Sequence, residues 1–137
     1  MMGPLSIHLA LHGVLVLLVS VLSGVTLWRV MLKAGREHAW HLIHAGGSVR
    51  GVLLIALAAV VPILPLAPSM LAAFVWLMIV SIWASMFAML IAAITGDRGL
   101  QNAGTGTNRL VYMLYGIHAV TLFPAFFILI YGLISAL

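Results

Sequence analysis

Residues 38–69 read HAWHLIHAGGSVRGVLLIALAAVVPILPLAPS. An apolar run that starts among histidines and contains Gly46, Gly47, Arg50 and Gly51 stops at Pro62, Pro65 and Pro68. A helix over 38–64 is long enough to cross a hydrocarbon core of about 30 Å at a rise of about 1.5 Å per residue. The prolines fix φ and withhold backbone N–H groups, so they end that helix and force a tight apolar turn. A second run over 70–94 follows at once, which makes the two spans antiparallel neighbours. Runs of the same kind lie on either side, at 7–32 and 110–137. The fold class expected is all-α, an integral membrane four-helix bundle, with residues 1–137 forming one domain.

Composition agrees. Hydrophobic residues make up 65% of the 137 and charged ones 6%, with a mean hydropathy of +1.28, whereas a soluble domain is about 45–50% apolar. The first span has no Lys or Arg before Arg29 and is too long for the apolar core of a signal peptide, so it reads as helix one. Five of the six basic side chains, Arg29, Lys33, Arg36, Arg98 and Arg109, fall in or beside the first and third connections. The turn between helices two and three has no charge, so the positive-inside rule places connections one and three in the cytoplasm and both termini outside. A multi-pass protein of a bacterial-type inner (plasma) membrane is expected. Topology and lipid headgroups account for the net charge of +4, so no nucleic-acid partner is expected.

What is missing limits the chemistry. Glu37 and Asp97 are the only acidic residues, and both fall in connections. No span offers a buried carboxylate for general acid–base work, for paired-carboxylate hydrolysis or for an ion-coupled relay. There is no Cys, hence no thiolate metal site and no covalent haem attachment. The eight methionines are scattered over the spans without paired spacing and read as packing residues.

Against this background His8, His12, His44, Arg50 and His118 stand out, because an ionisable group inside a membrane costs at least about 2.5–3.5 kcal/mol and needs a partner. His8, His38 and His41 lie near span ends, where amphipathic side chains are ordinary. His12, followed by Gly13, divides evenly between site wall and packing. His44 lies about 9 Å into its helix, with Gly46, Gly47 and Gly51 clearing space for a neighbouring helix or a flat macrocycle. It is the candidate metal or haem ligand. Arg50 is too deep for a simple interfacial charge and calls for a haem propionate, a bound anion or backbone carbonyls. His118, near mid-membrane, reads as a structural histidine bonded to a carbonyl of another helix, or as a second ligand.

The succession His12-Gly13, Gly24, Leu27-Trp28, Trp40, His44, Gly46, Gly51, Pro62, Trp83-Ala84 and Arg98-Gly99-Leu100 resembles the styrene oxide isomerases, small four-helix membrane enzymes. The correspondence runs without gaps over about residues 40–100 and more loosely through helices one and four. The resemblance implies a homotrimer with haem b at each subunit interface and His44 as axial ligand. It also implies a ferric iron that acts as a Lewis acid, opening an aryl epoxide so that a 1,2-hydride shift gives an aldehyde. Such chemistry needs no obligatory proton donor and suits carboxylate-free spans. Candidate cofactor contacts are His44, Arg50, His12 and Arg98, and candidate catalytic positions are Arg50, Met89 and Trp83. Trp28, Trp76, Trp83 and Phe87 are candidate aromatic walls for a developing benzylic cation. Two positions depart from the family pattern on the substrate side: Arg50 stands in place of an Asn and Met89 in place of a Tyr. Asn108 and Arg109 are expected to cap helix four and mark the headgroup region. Two alternatives stay open, a b-type cytochrome in which His118 or His12 joins His44 on the iron, and a haem-binding membrane protein without turnover.

Overall fold

The computed structural model describes residues 3–33, 35 and 37–137. It contains four long helices, α1 (Pro4–Met31), α2 (Glu37–Val60), α3 (Pro68–Thr95) and α4 (Gly106–Ile134), with no strand among the described residues. Each is long and apolar enough to cross a membrane. The protein is an all-helical four-span membrane bundle.

Local chemistry places the boundaries. Pro4 and Pro68 sit in the first turns of α1 and α3, where a missing N–H is harmless and the fixed φ suits a helix. α2 ends at Val60 and tightens into a short 3-10 turn, Val61–Ile63, that contains Pro62. α3 stops at Gly96, whose φ of 87° closes the helix with a bond from its N–H to the Ala92 carbonyl. α4 starts four residues before the sequence suggests, because Thr105 caps it by accepting from the Asn108 N–H at 3.0 Å. The cap is therefore Thr105 rather than Asn108 or Arg109. The Asn108 side chain instead ties the third connection to the start of α4. Its Oδ1 accepts from Gly99 N at 2.8 Å, and its Nδ2 donates to the carbonyls of Gln101 and Ala103.

Each helix is apolar on all sides, so polarity cannot select the face that packs inward, and lipid tails give helices no hydrophobic reason to associate. Small residues select it instead. The buried positions of α1 are Ser6, Leu9, Gly13, Val16, Ser20 and Ser23, spaced three and four apart as in a coiled-coil seam. They meet Ile43, Gly47, Gly51, Leu54 and Leu57 of α2. At the crossing, a Cβ built on Gly13 would lie 2.8 Å from the Gly51 carbonyl oxygen, and one on Gly51 would lie 2.8 Å from that of Gly13. Only paired glycines let the two backbones come this close.

The principal seams are therefore α1 with α2 and α3 with α4, while α2–α3 and α1–α3 contacts join the two hairpins. α3 is the central element and buries Phe74, Met78, Ser81, Ile82, Ser85, Met86 and Met89. α4 buries few residues and makes no extended packing with α2. A space is left between those two helices on the side of connections one and three.

Candidate functional site

Hydrogen bonds between helices fix the protonation pattern of the intramembrane histidines. His44 Nδ1 lies 2.8 Å from the carbonyl oxygen of Ser20 on α1. A carbonyl only accepts, so Nδ1 carries the proton and Nε2 keeps its lone pair. Ser20 returns the contact by donating its hydroxyl to the His44 carbonyl, which also accepts from Ser48 Oγ at 2.8 Å. The imidazole lies against Gly24: a Cβ there would be 2.8 Å from Nδ1 and 2.9 Å from Cε1. Residue 24 has to be glycine for this ring to sit where it does. Among the described residues Nε2 has no hydrogen-bond partner.

His118 is held in the same way by the other hairpin. Its Nδ1 donates to the Ser81 carbonyl at 3.0 Å, and Ser81 Oγ donates back to the His118 carbonyl at 3.1 Å. This is the interhelical structural bond expected from the sequence, and it repeats the Ser20–His44 clasp in α3 and α4. His12 differs. Its Nδ1 accepts from the Trp83 indole N–H at 3.0 Å, so its own proton sits on Nε2 and that nitrogen has no lone pair to give a metal. Trp83 stacks further on Phe87, with ring centroids 5.6 Å apart. His8, exposed near the start of α1, lies against Trp76 with centroids 5.3 Å apart. Trp28 is exposed on α1.

Arg50 and Met89, the two substrate-side departures, come together. Arg50 folds back one turn, and its Nη1 donates to the Gly46 carbonyl at 3.0 Å. A Cβ on Gly46 would lie 2.7 Å from that nitrogen and 3.8 Å from the Met89 sulfur, so a side chain at 46 would displace the guanidinium. Arg50 is six residues beyond His44, roughly 240° around the helix. His44 faces α1, whereas the Arg50 guanidinium lies beside Met89 of α3.

The described residues include a cavity of about 790 Å³ in the space between α2 and α4, within the ~300–1,000 Å³ of small-molecule sites. Glu37, His38 and Leu42 of α2, Ala92 of α3 and Tyr115 of α4 line it, with Gly96, Arg98 and Leu100 at its mouth. Residues of connections one and three thus share one end of the bundle, as the alternation of four spans requires. A smaller cavity of about 300 Å³ between the ends of α1 and α2 is lined by Leu27, Met31, Glu37, His38 and His41, one turn from the Gly24–His44 contact. Arg98 is positioned by Gly99, whose φ of +62° is a left-handed conformation and whose absent Cβ would lie 2.7 Å from the Tyr112 nitrogen. That explains a glycine after the arginine.

A single protomer accordingly does not gather all the candidates in one place. His44 lies in the α1–α2 seam, His12 and Trp83 bridge α1 and α3, Arg50 and Met89 meet between α2 and α3, and Arg98 is at the cavity mouth. Tyr115 went unnoticed in the sequence because a lone tyrosine in an apolar span reads as packing. Its position three residues before His118, hence on the same face of α4, was the available signal.

Among the described residues no group of three His, Asp or Glu side chains could hold a bare metal ion. A metal at His44 must bring most of its ligands with it, as a porphyrin does. The donor set fits that case: one imidazole whose second nitrogen is bonded to a carbonyl, the arrangement that orients histidines on metals. No curated protein matches the chain. A family model described as styrene oxide isomerase matches residues 5–134. Nearly the whole bundle is covered by that match, and the chain belongs to the styrene oxide isomerase family.

Proposed function

We propose that this protein is a haem-dependent membrane epoxide isomerase, in which His44 Nε2 would hold the iron of haem b. The observation that supports this best is the His44 clasp. The Ser20 carbonyl accepts the Nδ1–H bond, Gly24 makes room for the ring, and Nε2 keeps its lone pair with no hydrogen-bond partner among the described residues. Bound there, ferric haem would supply a Lewis acid that polarises an epoxide oxygen without transferring a proton.

The chain's own residues suit the other requirements of the reaction. No carboxylate lies deep in the spans to activate water: Glu37, expected in a connection, is instead the exposed first residue of α2 at the cavity mouth, and Asp97 lies beyond α3. Ring opening is thereby separated from hydrolysis. Aromatic faces at Trp83 and Phe87, fixed by the indole bond to His12, offer walls that stabilise a benzylic cation without attacking it. His44 and Arg50 project from α2 about 120° apart, and a subunit seam would reunite them. The proposal therefore includes a homo-oligomer, a trimer as the family resemblance implies. The outward faces of α1 and α4, with Leu18, Val21, Leu22, Phe123 and Phe127 exposed, are available to lipid or to neighbouring copies. A cytoplasmic location of connections one and three in a plasma-type membrane belongs to the same proposal.

The bis-histidine cytochrome is less well served. His118 is held in the α3–α4 seam and His12 presents a protonated Nε2, so neither faces the nitrogen that His44 keeps free. The test is to purify the protein in detergent after growth with excess haem and record its optical spectrum during imidazole titration. Styrene oxide is then added to the ferric form without reductant. A ligand-responsive spectrum and conversion to phenylacetaldehyde are expected, with both lost in a folded His44→Ala variant. A spectrum indifferent to imidazole, or no turnover of any of several aryl epoxides, neutral and carboxylate-bearing, by haem-loaded protein, would overturn the reading.

A further inference from the structure

Arg50 is a half-buried cation in the middle of a membrane span, and among the described residues no carboxylate is within ion-pair reach of it. One of its five N–H donors serves the Gly46 carbonyl. The others have no protein acceptor among the described residues. Leaving such a group without a counter-charge is costly in an apolar medium.

The surroundings show where a counter-charge can come from. By folding back towards Gly46, the guanidinium reaches one turn beyond Leu42, which lines the 790 Å³ cavity. Tyr115 lines the same cavity from α4, and its hydroxyl has no hydrogen-bond partner among the described residues. Met89 closes the remaining side beside Gly46. The cavity has polar lining at Glu37, His38 and Arg98 and apolar walls at Leu42 and Ala92, with the Tyr115 phenol on the α4 side; the Arg50 guanidinium, at Gly46 and beside Met89, lies one helical turn deeper than Leu42 and Ala92. A neutral aryl epoxide has no use for a full positive charge at that depth. A ligand with an anionic oxygen group does.

We infer that Arg50 and Tyr115 together form a carboxylate-binding subsite at the inner end of the α2–α4 cavity. A guanidinium offers two parallel N–H donors matched to the two oxygens of a carboxylate, and the phenol adds a third donor. The inference deepens the proposed function and rests on it for the reaction, since it makes the substrate a carboxylate-bearing epoxide. The binding itself requires no haem. The same chemistry can come from a free small molecule or from a haem propionate, and the two are separable.

Ligand-observed fluorine NMR with 4-fluorophenylacetate, on the full-length protein as purified in detergent with empty micelles as blank, tests the first source. Saturable binding is expected, weakened about 10–100-fold in Arg50→Gln, as loss of a charge-assisted bond implies, and several-fold in Tyr115→Phe. Arg50→Lys, which keeps the charge without the fork, should fall between wild type and Arg50→Gln. 2-(4-Fluorophenyl)ethanol, which is neutral, should not distinguish wild type from Arg50→Gln. The second source is tested by comparing retention of haem and of haem dimethyl ester. Loss of haem but not of the ester in Arg50→Gln, without 4-fluorophenylacetate binding, would assign the carboxylate to a propionate. Folding of each variant is checked by monodispersity and helical circular dichroism. If folded Arg50→Gln matches wild type for both the fluorinated acid and haem, the subsite does not exist, whatever becomes of the isomerase reading.

Discussion

Gly24→Ala tests the geometry on which the haem proposal depends, and it does so without any cofactor. In an open helix interior, Gly to Ala stabilises by about 1 kcal/mol, because alanine loses less backbone freedom on folding. At position 24 the new methyl would lie 2.8 Å from His44 Nδ1, whereas ordinary contact begins near 3.4 Å. The imidazole must retreat by about 0.6 Å or the helices must part, and over-packing of this kind costs about 1–3 kcal/mol. Retreat also strains the 2.8 Å bond from Nδ1 to the Ser20 carbonyl, an interhelical bond worth about 0.6 kcal/mol on average in a membrane and at most about 1.7. The propensity gain offsets part of this, leaving a net loss of about 1–2 kcal/mol, or roughly 5–30-fold in the unfolding equilibrium. The assay is a double-mutant cycle on reversible unfolding in mixed micelles, with Gly24→Ala made in wild type and in His44→Ala. Without the ring the clash disappears, so alanine at 24 should become neutral or stabilising and the coupling should reach about 1–3 kcal/mol. Gly116→Ala, where a Cβ would meet nothing within 4 Å, serves as the control and should stabilise. Equal cost of Gly24→Ala in both backgrounds would refute the proposed contact between His44 and residue 24, and with it the account of how His44 is oriented.

Three further outcomes follow from the same packing. Gly13→Val should destabilise the α1–α2 hairpin by at least about 2 kcal/mol, because the added carbons meet the Gly51 carbonyl, which cannot turn aside as a side chain can; an unchanged unfolding midpoint would contradict the glycine crossing. Gly99→Ala combines a φ of +62° with a clash against the Tyr112 nitrogen. It should loosen residues 97–108, read as faster amide exchange there with α1 and α2 unaffected. Asp97 accepts hydroxyl bonds from Thr107 and Thr105, which, Thr107 foremost, hold its carboxyl below the usual carboxylate range. A depressed folded pKa means that its contribution to ordering the third connection is present above about pH 4 and is lost as pH falls through the lower folded value. Amide protection of residues 97–108 should therefore drop in strong acid, and Asp97→Asn should remove that pH dependence.

Much of the architecture was legible in the chain. Four spans follow from run length against membrane thickness, and Pro62, Pro65 and Pro68 mark the turn because proline cannot continue a helix. The singular status of His44 and Arg50 follows from the cost of ionisable groups in hydrocarbon, and membership of the family from the order of residues 12 to 100. Which helices share the main seams was not legible, since all four are apolar all round and α1 is matched to α2 by the meeting of Gly13 with Gly51 and of Ser20 and Gly24 with His44. Nor could the chain reveal that His44 and His118 are protonated on Nδ1 and His12 on Nε2, because each proton is assigned by an atom from a distant stretch: the Ser20 and Ser81 carbonyls and the Trp83 indole. Tyr115 becomes a candidate ligand group only when α4 is placed across the cavity from α2. Composition and run length are local properties and were available from the residues alone. Tautomers, seams and the α2–α4 cavity arise from contacts between residues far apart in the chain, and only the packed helices decide them.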